Sequence, residues 1–251
     1  MGSDKNRRIV ANYDETARIS PLDILSSGRH VSSAFGYAKK LGDFLVKEMD
    51  ITAKDRVLDA GCNVGIYHAP LARNAAKLTG VDASERAIER ARVRNKKLAN
   101  ADYQVVDLTR LGAAKFPHRF DKILCYSVVH FLNDVHELEA LLRSFIGLLE
   151  GGHGLIFIGE VREIELYDRF LTEQKNRKGF RMRDLKFSLL GRIRRWLLRY
   201  GAIQEGIAPT LFRRDEIEEM AERLGVKEYT RLEQDSWHPF ANTCVDYRFR
   251  F

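Results

Sequence analysis

The sequence predicts an α/β protein with a doubly wound sheet of seven strands, mostly parallel, that ends in an antiparallel C-terminal hairpin. Segments typical of strands and of helices alternate between residues 52 and 160. Several of the strand-like segments are almost continuously apolar, as in a sheet covered by helices on both faces. Residues 243–251 instead carry an apolar side chain at every second position, which is the period of a β-strand.

The alternating region contains five strands and the helices that join them. The predicted strands are residues 56–60, 78–81, 103–106, 120–126 and 155–158. The predicted helices are residues 65–76, 85–99 and 136–149. Gly151 and Gly152 mark the end of the last of these helices, since glycine commonly terminates a helix. Strands connected by helices in this way pair in parallel.

The remainder of the chain adds helices and a final hairpin to a single domain. Its parts are a helical N-terminal cap, a core, a basic helical lid insertion and a C-terminal part, at residues 1–50, 51–160, 161–210 and 211–251. Outside the core, helices are predicted at residues 8–17, 31–49 and 215–224, and strands at residues 228–232 and 243–251. The two C-terminal strands are predicted to form the antiparallel hairpin at one edge of the sheet.

The composition is that of a globular protein: 45% of the 251 residues are hydrophobic and 31% are charged. No apolar run approaches the roughly 20 residues that span a bilayer, and the N-terminus lacks the apolar stretch of a secretory signal. The three cysteines, Cys62, Cys125 and Cys244, have neither disulfide nor metal spacing. We therefore predict buried reduced thiols, no metal site and a cytoplasmic location.

The net charge of +7 is concentrated in one segment. Residues 175–199 contain ten Lys or Arg and one acid, Asp184, so the rest of the chain is close to neutral. Within residues 185–200 apolar side chains recur at helical spacing, with arginines largely off that face. This helix is interpreted as a packing helix with a solvated basic side, as a surface for an anionic acceptor, or as a contact with a membrane surface. Nucleic acid is disfavoured because no RNA-binding module is recognisable.

A glycine turn follows the first predicted strand, in the stretch VLDAGCNVGIY. Gly61 and Gly65 lie where the strand passes into a helix, and we expect a ligand to approach the bare backbone there. A dinucleotide fingerprint would require glycine at positions 63 and 66 as well, where the chain has Asn63 and Ile66. The pattern therefore disfavours an NAD-dependent oxidoreductase.

Asp59, Gly61 and Gly65 resemble motif I of the class I S-adenosylmethionine-dependent methyltransferases, D-x-G-x-G-x-G, with Asn63 in place of the middle glycine. Asparagine tolerates a left-handed backbone, so the turn is expected to persist. Acidic residues follow the next two strands at the family's spacing, and the resemblance covers residues 52–160. It implies a Rossmann-like fold with the cofactor at the carboxyl ends of the strands.

The resemblance also implies which residues bind S-adenosylmethionine and its product, S-adenosylhomocysteine. They are Tyr13, Arg29, Asp59, Gly61, Cys62, Gly65, Asp82, Ala83, Asp107, Leu108, Tyr126 and Ser127. For Arg29 the alternatives are a pair with a substrate carboxylate and a charge in solvent at the start of a helix, and for Tyr13 the alternative is a packing role. Asp82 is expected to accept hydrogen bonds from both ribose hydroxyls. Asp107 is expected against the adenine amino group, and the Leu108 amide against the ring. Tyr126 and Ser127 belong to the segment that lies under the methionine part.

His130 and Glu160 are the candidate general bases, since each follows a strand that ends at the expected site. The alternatives are a histidine that packs against its loop and a carboxylate paired with Arg162. Four further histidines are expected in turns or on helix surfaces, without a role in the site. These are His118, His136, His153 and His238.

These features predict an enzyme that transfers a methyl group to a small molecule or a glycan, at oxygen rather than at nitrogen or carbon. One alternative is an RNA methyltransferase that holds phosphates with the basic helix. Another is a non-catalytic cofactor-binding protein on the same fold, because a fold alone does not determine function. The sequence does not predict the oligomeric state.

Overall fold

The structure is a computed structural model that describes residues 4–19, 36–176, 209–238 and 240–251. Its centre is a sheet of seven strands. They are β1 (Arg56–Ala60), β2 (Lys77–Asp82), β3 (Ala101–Val105), β4 (Lys122–Tyr126), β5 (Leu155–Arg162), β6 (Glu228–Glu233) and β7 (Cys244–Arg250). Each lies within a few residues of a predicted strand, so the sequence pattern located all seven.

The strands are ordered β3-β2-β1-β4-β5-β7-β6 across the sheet. β1 to β5 pair in parallel, whereas β7 lies antiparallel to both β5 and β6. Neighbouring residues of β1 face opposite sides: Leu58 packs into one apolar cluster and Val57 into the other. This alternation confirms the doubly wound sheet with an antiparallel C-terminal hairpin.

Helices cover both faces of the sheet. In chain order the described α-helices are α1 (Asp4–Ile19), α2 (Tyr37–Glu48), α3 (His68–Asn74), α4 (Glu85–Arg94), α5 (Val135–Ile146), α6 (Ile164–Asn176) and α7 (Arg214–Arg223). The apolar faces of α2 and α3 belong to one core cluster, and those of α5 and α7 belong to the other. None of the helices that the structure describes is long and apolar enough to cross a membrane.

Side-chain caps explain where two of these helices begin. The Ser84 hydroxyl accepts a hydrogen bond from the Ala87 amide at the start of α4, and the Asp134 carboxylate accepts one from the Glu137 amide at the start of α5. Such caps satisfy backbone donors that have no partner inside the helix. α5 ends at Ile146, earlier than predicted from the glycine pair, because the chain after it turns and pairs with the strand region before β4.

The strand β5 extends past residue 160, the end predicted for the core. β5 continues to Arg162, because its last residues pair with β7, and α6 follows directly. The chain returns at Phe212, whose amide donates to the Arg162 carbonyl (2.9 Å). The basic segment from residue 177 onward and the predicted helix at residues 185–200 lie outside the described residues.

The predicted burial of the cysteines is confirmed, since Cys62, Cys125 and Cys244 are all buried free thiols. Burial raises the pKa of Cys244 to about 12, and it also raises the pKa values of Cys62 and Cys125. The thiols are therefore held in the protonated form at neutral pH, which suits packing rather than nucleophilic chemistry.

One glycine of the sheet leaves room for an aromatic ring. Gly159 of β5 lies opposite Tyr126, the last residue of β4. A Cβ atom on Gly159 would lie 2.0 Å from Cδ2 of the Tyr126 ring and 2.1 Å from Cε2. The tyrosine ring therefore lies flat against β5 only because position 159 has no side chain.

We expect Gly159→Ala to destabilise the protein by about 1–3 kcal/mol, since overpacking forces the ring or the strand to shift. Urea unfolding followed by circular dichroism measures this loss. Gly112→Ala is the matched control, because a Cβ there meets nothing within 4 Å and its backbone is extended (φ −158°). The control should stay within about 0.5 kcal/mol of wild type; equal stability of both variants would contradict the close packing of the Tyr126 ring.

Candidate functional site

A cavity of about 370 Å³ opens at the carboxyl ends of β1, β2 and β4, with α1 and α5 contributing its sides. Its wall brings together ten of the twelve residues predicted to bind the cofactor. They are Tyr13, Gly61, Cys62, Gly65, Asp82, Ala83, Asp107, Leu108, Tyr126 and Ser127. Arg29 lies outside the described residues, and Asp59 lies behind the wall. Ligands of doubly wound sheets bind at this edge.

The glycine turn after β1 has a left-handed backbone at three positions: Gly61 (φ +87°), Asn63 (φ +48°) and Gly65 (φ +61°). A Cβ on Gly61 would lie 2.4 Å from Cγ2 of Val128, and one on Gly65 would lie 2.6 Å from Nδ1 of His68. The glycines are therefore required by the protein's own backbone and packing, and not only by the approach of a ligand. Asn63 adopts the expected left-handed conformation.

Asp82, at the end of β2, holds this turn in place. One carboxylate oxygen accepts a hydrogen bond from the Asn63 amide (2.9 Å), and the other accepts one from the Ser84 amide (2.9 Å). Burial raises the pKa of Asp82, while these two backbone bonds act in the opposite direction. Each oxygen keeps further acceptor capacity, so the carboxylate can also receive hydroxyl donors from the cavity.

Asp59 supports the site from below and does not line it. Its carboxylate lies 2.7 Å from Nε2 of His68, and both side chains are fully buried. Nδ1 of His68 lies 2.8 Å from the Tyr103 hydroxyl, and the two rings stack. Sequence reasoning missed His68, because its partner Asp59 lies on another element and the contact has no local pattern.

Asp107 begins a short 3₁₀ turn, Leu108–Arg110, at the far end of the cavity. One of its oxygens accepts hydrogen bonds from the amide (2.9 Å) and the hydroxyl (2.8 Å) of Thr109. This cap fixes the turn and presents Leu108 to the cavity beside the acidic group. The acid and the apolar side chain lie together, as the resemblance implies.

α1 covers the cavity and is attached to the core at several points. Asp14 accepts hydrogen bonds from the Ser84 hydroxyl (2.8 Å) and the Arg86 amide (3.1 Å), and Lys5 donates to the Leu132 carbonyl (2.9 Å). The Tyr13 ring meets the Phe131 ring edge to face, with centroids 5.7 Å apart. The N-terminal helix therefore forms part of the wall, as predicted for Tyr13.

His130 lies beside the cavity, in a 3₁₀ turn (Val129–Phe131) after β4, but does not line it. The side chain is buried, and its ring contacts that of Phe131, which does line the cavity. The His130 carbonyl accepts a hydrogen bond from the Thr210 amide (2.8 Å), which joins this turn to the end of the insertion. The structure places His130 one residue away from the wall.

Glu160 is 2% exposed and points into the protein rather than toward the cavity mouth. It has a left-handed backbone (φ +57°) at an irregularity in the pairing of β5 with β7. Its amide donates to Asp246 (2.9 Å), and its carboxylate lies 3.3 Å from Nε2 of His238. We expected the Glu160 side chain at the mouth of the site, and this expectation is wrong. The β-bulge turns the side chain into the protein instead.

His238 also differs from its expected surface position, since it is 4% exposed and lies among Tyr37, Tyr126 and Glu160. The turn between β6 and β7 carries it into the protein, beneath the cavity wall formed by Tyr126. The aromatic residues Trp237 and Phe240 on either side of this histidine were the available sequence signal for burial, but they do not identify its partners.

A family model described as Nodulation protein S (NodS) matches residues 27–166, which is more than half of the chain. The chain belongs to the NodS family. This membership confirms the class I methyltransferase family that motif I and the acidic residues after β2 and β3 indicated.

Two relatives are similar in sequence to about two fifths of this chain. Nodulation protein S of Bradyrhizobium diazoefficiens is 33% identical over 106 residues, which are 42% of this chain and 49% of that protein. A ubiquinone biosynthesis O-methyltransferase of Proteus mirabilis is 31% identical over 99 residues, which are 39% of each chain. The chain thus spans half or less of the length of these relatives.

Solved structures share the fold of this NodS-family chain over nearly its whole length. Magnesium protoporphyrin IX methyltransferase (ChlM) from Synechocystis with bound SAM has a TM-score of 0.60 at 13% identity, covering 99% of this chain and 98% of that one. N-methyltransferase NodS from Bradyrhizobium japonicum with S-adenosyl-l-homocysteine has a TM-score of 0.56 at 18% identity, covering 95% and 97%. At these identities the likeness establishes the Rossmann-like fold alone.

Breaking the buried Asp59–His68 pair should be costly. We expect His68→Leu to lower the free energy of unfolding by about 3–5 kcal/mol, because it leaves a buried carboxylate without its partner. The double variant Asp59→Asn/His68→Leu should lose less than the sum of the single variants, as measured by urea unfolding. His136→Leu, on an exposed part of α5, is the control for the same substitution. Strict additivity of the two changes would contradict the pairing.

The buried Asp246 should make stability depend on pH. Burial raises its pKa to about 6, above the value of about 3.9 expected in the unfolded chain. The folded state therefore binds the proton more tightly, and this contribution to stability is present below about pH 4 and is lost as the pH rises through 6. The full difference corresponds to about 3 kcal/mol.

We expect the free energy of unfolding of Asp246→Asn, relative to wild type, to rise by up to about 3 kcal/mol between pH 4 and pH 7. Urea unfolding at several pH values measures this difference, and any constant packing cost of the amide cancels. Asp43→Asn, on the exposed side of α2 where Asp43 pairs with Lys39, is the control. Parallel pH profiles for Asp246→Asn and wild type would show that the carboxyl pKa is not raised.

Proposed function

We propose that this chain binds S-adenosylmethionine in the cavity and transfers its methyl group to a small-molecule or glycan acceptor. The observation that carries the proposal is Asp82, whose carboxylate lines the cavity at the end of β2 and holds the glycine turn through the Asn63 amide. Membership of the NodS family supports it, as does a fold shared with proteins crystallised with SAM or SAH.

The residues present fit this cofactor. Asp82 offers acceptor oxygens for the ribose hydroxyls, and Asp107 with the Leu108 amide suits the adenine edge. Apolar side chains, including Val128 and Leu141, line the wall nearby and suit a flat ring. The glycine turn, Tyr126 and Ser127 would hold the methionine part. A volume of about 370 Å³ lies in the range of small-molecule sites.

When bound, the cofactor supplies a methyl group already activated by its sulfonium. The protein's contribution is then to orient the acceptor and to exclude water. Orientation alone supplies roughly 7–11 kcal/mol in favourable cases. α1, fastened at Lys5 and Asp14, covers the cavity and serves both purposes.

Of the two candidate bases, His130 is the one we propose as proton acceptor. His130 adjoins the cavity through its neighbour Phe131. Glu160 is buried, so it reaches the cavity only through neighbours such as His238 and Tyr126. Both arrangements favour His130 as the group nearer to an acceptor, because a general base acts within hydrogen-bond reach.

The proposed acceptor carries a hydroxyl, because a nearby base assists a nucleophile that must lose a proton. A ubiquinone biosynthesis O-methyltransferase is among the relatives. An amine is the competing acceptor, since one solved structure of the family is named as an N-methyltransferase. We further propose an anionic acceptor, a contact with a membrane surface through residues 185–200, and a cytoplasmic location. The charge of the basic segment supports the first two.

Calorimetry with S-adenosylmethionine and S-adenosylhomocysteine tests the proposal. We expect micromolar binding to wild type and at least about tenfold weaker binding to Asp82→Ala, which removes both acceptor oxygens, and to Asp82→Asn, which replaces one of them with a donor and removes the charge. Asp102→Ala is the control, since Asp102 lies on β3 away from the cavity wall and pairs with Lys77. A wild type that binds neither ligand would refute the proposal.

With binding established, release of S-adenosylhomocysteine in the presence of hydroxyl and amine compounds, anionic and neutral, identifies the acceptor class. Methylation of a hydroxyl supports the oxygen assignment. Methylation of amines alone overturns that assignment and leaves methyl transfer in place.

A further inference from the structure

Three oxygen-bearing side chains from separate parts of the chain meet at one nitrogen of His238. Nε2 lies 2.8 Å from the hydroxyl of Tyr126, 3.1 Å from the hydroxyl of Tyr37 and 3.3 Å from the carboxylate of Glu160. All four residues are buried. They come from the end of β4, the start of α2, the bulge of β5 and the turn before β7. We call these four residues the His238 network.

The other ring nitrogen defines the proton position. Nδ1 of His238 accepts a hydrogen bond from the Phe240 amide (3.3 Å), so it carries no proton. The neutral imidazole then has its proton on Nε2, which faces the three oxygens. His238 is therefore a shared donor at the centre of the network.

Tyr126 connects the network to the cavity. It lines the cavity next to Ser127, and its ring meets that of Tyr67, another wall residue, at 6.2 Å between centroids. Its ring lies against Gly159, where a side chain would collide with it. β5 thus provides a bare surface for the ring, and His238 holds the hydroxyl at its far end.

The local backbone is distorted to bring Glu160 into the network. The pairing of β5 with β7 shifts register between Ile158 and Val161, and Glu160 there has φ +57°. The Glu160 amide donates to Asp246, which holds the bulge. A left-handed non-glycine residue is strained, and such strain concentrates at functional sites.

Trp237 gives the turn that carries His238 further contacts, beyond the hydrogen bonds of the network. The ring of Trp237 lies 5.9 Å from that of Tyr37 and 5.9 Å from that of Phe44, with Lys40 over its face at 4.8 Å. These apolar and cation–π contacts already fix the turn on α2. The hydrogen bonds of His238 therefore do more than attach the turn.

We propose that His238 is a positioning residue for the cofactor. Through its Nε2 proton it fixes Tyr126, the wall residue where the resemblance places the methionine end, and so sets how tightly the cofactor is held. The inference rests on the proposed function, because it concerns the same cavity. It adds a residue whose effect passes through Tyr126 and not through contact with the ligand.

Calorimetry with S-adenosylhomocysteine on three variants tests the proposal. His238→Phe removes the donor and should weaken binding at least about tenfold, whereas His238→Gln keeps an N–H donor of similar reach and should stay within about threefold of wild type. Ser236→Ala changes an exposed position of the same turn, outside the four residues of the network, and should also stay within about threefold. Thermal unfolding of each variant separates lost stability from lost affinity. A folded His238→Phe that binds as wild type does would overturn the proposal.

Nitrogen-15 NMR of the histidine rings gives a second readout on the wild type. The His238 signals are assigned by their absence in His238→Gln, and we expect the neutral form with the proton on Nε2. Saturating S-adenosylhomocysteine should shift these signals, because the ligand contacts Tyr126. Unmoved signals would overturn the proposal even if His238→Phe does not fold. A wild type that does not bind S-adenosylhomocysteine refutes the proposed function itself, which is a separate outcome.

Discussion

The site depends on how the backbone of residues 61–65 is held. Left-handed conformations at Gly61, Asn63 and Gly65 restrict this turn, and their cost must be offset by contacts around it. Asp82 accepts the Asn63 amide from one side, and His68, paired with the buried Asp59, packs against Gly65 from below. Asp82 faces the cavity and Asp59 is enclosed, so of these two carboxylates Asp82 is the one accessible to a ligand. The turn is thus shaped before any ligand arrives, which lowers the entropic cost of binding.

The same edge of the sheet fastens the helix that covers it. Ser84 caps α4 by accepting the Ala87 amide, and its hydroxyl also donates to Asp14 of α1. The residue two positions after Asp82 therefore links the floor of the cavity to its cover. A hydroxyl that both donates and accepts makes this double role possible. Movement of α1 would disturb Ser84, and with it the start of α4 and the Asp82 carboxylate that holds the glycine turn. The position of α1 and the shape of the glycine turn are therefore coupled.

The sequence was sufficient for elements whose signal is local, and insufficient for contacts between distant segments. Strand and helix periodicity located all seven strands, and the glycine turn with its left-handed Asn63 could be predicted from residue type alone. The partners of Asp59 and Glu160 could not, because His68 and His238 lie 9 and 78 positions away and their contacts depend on the fold. The inward direction of Glu160 follows from a bulge in β5, and the β5–β7 register that produces it has no sequence signature. Most of the predicted residues therefore line the cavity, whereas the contacts that support them from beneath were not predicted.

The bulge at Glu160 is unfavourable for stability in two ways. Its backbone is strained, and its carboxylate is buried next to the bulge-holding Asp246, whose own pKa is raised by burial. A glycine in place of Glu160 would adopt φ +57° without strain and would remove one buried carboxyl group, so stability alone does not explain the glutamate. Its carboxylate instead gives His238 an acceptor and keeps the Nε2 proton shared between Glu160 and the two tyrosines. Among these residues Tyr126 reaches the cavity. We therefore relate the cost of the bulge to the position in which it holds Tyr126 in the cavity wall.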